Sequence, residues 1–169
     1  RTSGDVRHIS EDRAGHLWLS TGYGLYRLDP QNGDVRRFVH EATNAHSLSS
    51  SEIKFSGEDR AGTFWVANGA GLDRFDRGSE RVTLHVPLPE TRPLKFYEDR
   101  AGTFWVLGES GPGLAILDRR TQRLVRYSFA DKEIPGLPLT GVTSMLEDQA
   151  GTLWVGTVAD GLMKFDRSR

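Results

Sequence analysis

Four copies of one nine-residue segment limit what this chain can fold into more than any other feature. EDRAGHLWL begins at Glu11, EDRAGTFWV at Glu58, EDRAGTFWV again at Glu98 and EDQAGTLWV at Glu147. The glutamate always stands seven positions before a tryptophan, and Trp18, Trp65, Trp105 and Trp154 are all the tryptophans of the protein. They are 47, 40 and 49 residues apart, the period of four-stranded propeller blades and longer than that of most helical repeats.

A second signature follows each tryptophan: GLYRLD from Gly24, GLDRFD from Gly71, GLAILD from Gly113 and GLMKFD from Gly161. The full unit is E-D-x-A-G-x-[LF]-W-[LV], a turn of varying length, then G-L-x-x-[LF]-D. It resembles the two-component regulator propeller repeat, found as tandem blades in the sensor regions of bacterial hybrid histidine kinases and related signalling proteins. The resemblance covers essentially the whole chain. It implies a non-catalytic, ligand-sensing region of a two-component receptor, on the periplasmic or extracellular-facing side of a membrane. An oligosaccharide or other small extracellular ligand is the implied partner, alongside further blades and a kinase or other output module in the parent chain. No cofactor is implied.

The residues themselves lead to the same architecture. Asp12-Arg13-Ala14-Gly15 has aspartate first and glycine fourth, as a type I turn prefers. Gly15, Gly62, Gly102 and Gly151 fit the left-handed position that closes longer hairpin loops, a structural role. The sialidase-type Asp box places aspartate two residues before glycine, whereas Asp59 and Gly62 are three apart. The strands after these turns read LWL, FWV, FWV and LWV. Three consecutive apolar residues on a strand are apolar on both faces, which suits blades stacked between neighbours better than a sheet with one wet face. The tryptophans are therefore expected to be buried, structural and equivalent.

A third strand runs from each Gly-Leu pair to Asp29, Asp76, Asp118 or Asp166, and a fourth is readable as VRRFVH, RVTLHV and RLVRYSF in the first three units only. The expected fold is all-β: one propeller domain over residues 1–169, with blades at about 4–40, 51–86, 93–129 and 141–166. The last blade lacks its outer strand, giving fifteen strands. The family resemblance, most often to seven-bladed rings, implies an open arc of a larger propeller. The bare end faces of such an arc predict self-association.

Composition narrows the function. With 22 basic against 23 acidic side chains, the chain lacks the electrostatic footprint of a nucleic-acid binder. Without cysteine it has neither a disulfide framework nor a cysteine zinc site. No apolar run approaches the roughly 20 residues of a membrane span, and RTSGDVRHIS has no signal-peptide core. The absence of an initiator methionine, and a start within a repeat, mark the chain as a piece of something longer.

Turn lengths point to the end of the blades that carries a ligand. From tryptophan to the Gly-Leu pair the count is six, six, eight and seven, so the second turn varies while the first does not. Binding residues concentrate in variable loops on a rigid scaffold. The candidates are Tyr23, Asn68, Glu109, Ser110 and Asp160 from the second turns, and Asn44, His46, Arg92 and Thr140 from the crossovers. Catalytic and metal patterns are poor. Gly108-Glu109-Ser110-Gly111-Pro112 has proline where a nucleophile elbow needs glycine. Ser51-Glu52-Ile53-Lys54 has Ser-x-x-Lys spacing but begins a strand. His8, His16, His40, His46 and His85 lack metal-ligand spacing. The remaining alternatives are a protein-interaction scaffold and a propeller lyase or glycosidase.

Overall fold

The computed structural model describes residues 5–88, 93–108, 113–126, 141–159 and 161–165. Among them the chain is all β, folded into antiparallel sheets whose strands follow chain order. The first sheet is β1 (Val6–Glu11), β2 (Leu17–Thr21), β3 (Gly24–Leu28) and β4 (Val35–Phe38). The second is β5 (Ile53–Glu58), β6 (Phe64–Asn68), β7 (Gly71–Asp76) and β8 (Arg81–Pro87). The third is β9 (Pro93–Glu98), β10 (Phe104–Gly108), β11 (Leu114–Asp118) and β12 (Arg123–Arg126). The fourth has three strands among the described residues: β13 (Val142–Glu147), β14 (Leu153–Thr157) and β15 (Leu162–Phe165). Each is a propeller blade. Contacts divide the chain into two units, Arg1–Pro89 and Glu90–Arg169, with two blades in each.

One core joins the two blades of the first unit. Trp18, Leu25 and Phe38 from one sheet meet Ile53, Phe64, Val66, Phe75 and Val82 from the next. The register explains this division. Trp18 pairs with Ser10 and Arg27, so these share one face, while Leu19 pairs with Ile9 and Tyr26 on the other. In the second sheet Phe64, Phe75 and Val82 are cross-strand partners and form the face that receives Trp18. Trp18 is fully buried. Its ring lies 4.5 Å from that of Phe64 and edge-on to Phe75 at 5.9 Å. The second unit repeats the arrangement: Trp105, Leu107 and Leu114 meet Met145, Leu153, Val155 and Phe165. There Trp105 meets Phe165 edge-on, again at 5.9 Å. The phenylalanine of a Gly-Leu motif thus packs against the tryptophan of the preceding blade.

Each tryptophan is also held by its own turn. The Asp12 N–H donates to the His16 carbonyl and the Gly15 N–H to the Asp12 carbonyl, and Gly15 has a φ of +85°. This is a type I turn closed by a left-handed residue, as the sequence predicts. The Asp12 carboxylate accepts from the Ala14 and His16 amides through Oδ1, and from the Trp18 indole N–H through Oδ2 at 2.8 Å. The same indole–carboxylate bond joins Trp65 to Asp59, Trp105 to Asp99 and Trp154 to Asp148, at 2.9, 2.6 and 2.8 Å. The aspartate of the repeat therefore fixes the tryptophan as well as the turn.

The four tryptophans occupy equivalent positions on β2, β6, β10 and β14, but they are not equally buried. Trp65 and Trp105 are nearly as enclosed as Trp18, whereas Trp154 is only half-buried. The expectation of equal burial fails there because Trp154 shares its face with the exposed Leu146 and Leu162.

Candidate functional site

At the first-turn end, side chains that look free in the sequence are used to join blades. Arg13 reaches the next turn, donating from Nη2 to the Arg60 carbonyl at 2.8 Å, with its Nε 3.3 Å from Glu58. Arg77 forms ion pairs with Glu58 and, at 3.1 Å, with the buried Asp12, while its guanidinium lies over the Phe64 ring. In the second unit the Arg100 side chain donates to the Gln149 carbonyl and its amide to Glu147 Oε2, at 3.2 and 2.6 Å. Burial raises the Asp12 pKa. The Trp18 indole, the His16 and Ala14 amides and Arg77 outweigh it and hold the carboxyl below its ordinary value. These contacts join neighbouring blades at this end, beside a cavity in the second blade lined by Gly62, Thr63, Arg74, Asp76, Arg77 and Thr83.

The second-turn end of the first unit differs. The Thr21 hydroxyl bridges its turn, donating to the Gly24 carbonyl at 2.8 Å and accepting from the Tyr23 amide at 3.1 Å. The Tyr23 side chain stands 60% exposed. In the second blade Gly71 closes the turn at a φ of +153°, and a Cβ there would lie 2.3 Å from the Val86 carbonyl. Only glycine lets the outer strand approach so closely. On the inner strands the pairing skips one residue, Arg7 in β1 and Lys54 in β5, and such bulges re-aim side chains. Both cations meet Glu52, Arg7 at 3.2 Å and Lys54 at 2.8 Å. The Lys54 hydrogen bond leads the causes that hold the Glu52 carboxyl below its ordinary value.

Behind this cluster lies a buried carboxylate. Asp73 is fully enclosed and accepts from the Ser49 amide and hydroxyl, from Asn68 Nδ2 at 2.7 Å, and from His85 Nδ1 at 2.7 Å. These bonds tie the crossover segment to β6, β7 and β8. Ser51 does not meet Lys54 as a catalytic Ser-x-x-Lys would. Its hydroxyl accepts from the His40 amide, while Lys54 pairs with Glu52. Among the described residues no group of three or more His, Asp or Glu side chains could hold a metal ion.

The family model described as two component regulator propeller matches residues 1–23 and 136–159. Those two segments match the two component regulator propeller repeat. No curated protein matches it. Its fold is similar to the extracellular domains of two proteins from B. thetaiotaomicron assigned to hybrid two component systems. One has 18% identity and a TM-score of 0.80 over 99% of this chain, the other 23% identity and 0.75 over 96%. The chain spans 23% of the length of each. Virginiamycin B lyase from Staphylococcus aureus shares the fold at 12% identity and a TM-score of 0.71, over 100% of this chain and 58% of the lyase.

The four predicted site residues that are described do not gather in one place. Tyr23 is at the second-turn end and exposed. Asn68 is at the same end but fully buried, its amide bonded to Asp73, Ser49 and the turn amides of Ala70 and Gly71. Asn44 and His46 are exposed in the crossover, where the Asn44 carbonyl oxygen of the side chain accepts from the His46 amide. The His46 carbonyl accepts from the Val82 amide, and Val82 pairs with Phe75 near the opposite end of β7 from Gly71. The crossover therefore dips along the outer strand instead of staying beside the second turns. Arg92, Glu109, Ser110, Thr140 and Asp160 lie outside the described residues. The sequence reading missed Arg7, Glu52, Lys54, Asp73 and His85. The pairing also skips Leu94 in β9 and Thr143 in β13, so the four skipped residues share no side-chain type by which the sequence could have signalled the bulge.

Proposed function

We propose that this chain is part of the ligand-sensing region of a two-component receptor, and that its second-turn end holds the ligand. The asymmetry between the two ends carries the reading. Arg13, Arg77, Arg100, Glu58 and Glu147 of the first-turn end join blades, while the other end presents the exposed Tyr23 and the Arg7–Glu52–Lys54 cluster on a braced scaffold. Hydroxyl-rich ligands suit such a mixture of an exposed aromatic ring and charged hydrogen-bonding groups, so we take an oligosaccharide as the ligand class. The regulator propeller repeats, and the likeness to extracellular domains of hybrid systems, support a periplasmic or extracellular location and an output module elsewhere in the parent chain. We read the chain as non-catalytic.

Thermal denaturation against a panel of neutral and acidic oligosaccharides tests this. A ligand bound only by the native state raises the melting temperature by mass action. A few glycans are expected to do so, with the shift reduced in Tyr23→Ala and Arg7→Ala and retained in Arg60→Ala. No shift with any glycan, or a shift insensitive to Tyr23 and Arg7, overturns the site. Turnover of a glycan by the purified chain overturns the non-catalytic reading.

A further inference from the structure

The cavity at the first-turn end of the second blade has a volume of about 450 Å³, which is in the range of small-molecule sites. Its polar side chains all belong to that blade: Thr63 from the turn before β6, Arg74 on β7, Asp76 at the end of β7, Arg77 just beyond it, and Thr83 on β8.

Two of these side chains keep hydrogen-bonding groups to spare. Arg74 donates from Nε to the Thr83 hydroxyl at 2.9 Å, and that hydroxyl donates to the Arg74 carbonyl at 3.3 Å. Thr83 thereby orients the guanidinium, while the two Nη groups of Arg74 have no partner among the described residues. The Thr63 amide is held by Asp59 at 2.9 Å, but the Thr63 hydroxyl has no partner among the described residues either. The other two charges are engaged elsewhere. Arg77 pairs with Asp12 and Glu58. The Asp76 carboxylate takes the Ser79 amide and hydroxyl of its own turn, each at 2.6 Å, and it is exposed, so solvent screens its charge.

The first blade shows what such a place accepts. Arg27 is the cross-strand partner of Trp18 as Arg74 is of Trp65, and Arg36 stands beside Arg27 as Thr83 stands beside Arg74. There a carboxylate fills the site: Glu80 lies 3.4 Å from Arg27 and 2.6 Å from Arg36. Arg74 has no acidic partner among the described residues.

We propose that this cavity is a ligand site separate from the second-turn end, and that it takes the carboxylate of a small hydroxylated acid of the size of a sugar acid. The Nη groups of Arg74 hold the carboxylate through paired N–H···O bonds, the geometry in which guanidinium and carboxylate match. The Thr63 hydroxyl bonds a hydroxyl of the same molecule.

Amide NMR of the whole chain during titration with glucuronate, and with glucose as its neutral counterpart, tests this. Glucuronate is expected to shift the Gly62, Thr63 and Thr83 amides and the Arg74 Nε–H signal, and glucose to leave them in place. Arg74→Gln should weaken the glucuronate titration about tenfold or more, the loss expected of a hydrogen bond to a charged group. Arg74→Lys, which keeps the charge without the fork, should fall between Arg74→Gln and the wild type. Thr63→Val removes only a hydroxyl from a half-buried position and should weaken the titration less than Arg74→Gln. Spectra of the unliganded variants should match the wild type away from each substitution. Tyr23→Ala should leave the titration unchanged, which separates this site from the one at the second-turn end. An absence of shifts with glucuronate, equal shifts with glucose, a titration indifferent to both Arg74→Gln and Thr63→Val, or shifts confined to Tyr23 and Arg7 overturns the proposal.

Discussion

A buried tryptophan needs an acceptor for its indole N–H, and here that acceptor is the aspartate six residues earlier, already held by two turn amides. The ring and the turn are therefore specified together. Truncating Trp18, fully buried between two sheets, should cost about 3 to 5 kcal/mol, the range for deleting a large core aromatic. Trp154→Ala should cost about 1 to 2 kcal/mol, because its incompletely buried ring loses mainly one hydrogen bond and partial burial. Urea unfolding of the two variants measures the difference, and equal losses would contradict the unequal burial. The carboxylates add a pH dependence. Asp12 lies below its ordinary value despite burial, and Asp148 does so through the Trp154 indole and the Thr152 amide. A carboxyl depressed in the folded state stabilises the fold above its unfolded value, and that contribution is lost as pH falls through the folded one. Urea midpoints should hold at neutral pH and fall below about pH 4. Asp12→Asn should flatten that acid limb while lowering the midpoint at neutral pH.

Between elements, the arginines divide into two kinds. Arg77 is mostly enclosed and compensates Asp12 and Glu58, whose side chains are only 2% and 10% exposed. Removing it takes that cation from the buried Asp12 and leaves Glu58 with only the exposed Arg13. Arg77→Ala should cost about 3 kcal/mol, at the low end for breaking a buried ion pair. Arg13 is 62% exposed, so Arg13→Ala should cost at most about 1 kcal/mol, as solvent-screened pairs do. Denaturant midpoints for the two variants check the order. The first-turn end thus has a graded role in stability, which leaves the bulged inner strands at the other end available for binding.

At the scale of the molecule, each unit has its own core, with one tryptophan near its centre. Local opening follows such contiguous units. Hydrogen exchange of Trp18→Ala should therefore quicken in β1–β8 and leave β9–β15 unchanged, and uniform acceleration would mean that the chain opens as one. The repeat, the strands of the described residues, the turn type and the burial of three tryptophans were all legible in the sequence. They depend on contacts within about ten residues and on the alternation of side chains along a strand, and both recur in each copy. The fate of each copy was not legible, because identical motifs have different neighbours. Leu25 and Leu162 occupy the same motif position, yet one is buried and the other exposed, since only the first has a following sheet against it. Asn68 reads as a loop residue until Ser49 and Asp73, distant in sequence, enclose its amide. The dip of the crossover to Val82 and the Arg7–Glu52–Lys54 cluster likewise depend on packing between segments tens of residues apart. Local chemistry determined the blade, and tertiary packing decided which neighbours each side chain of it meets.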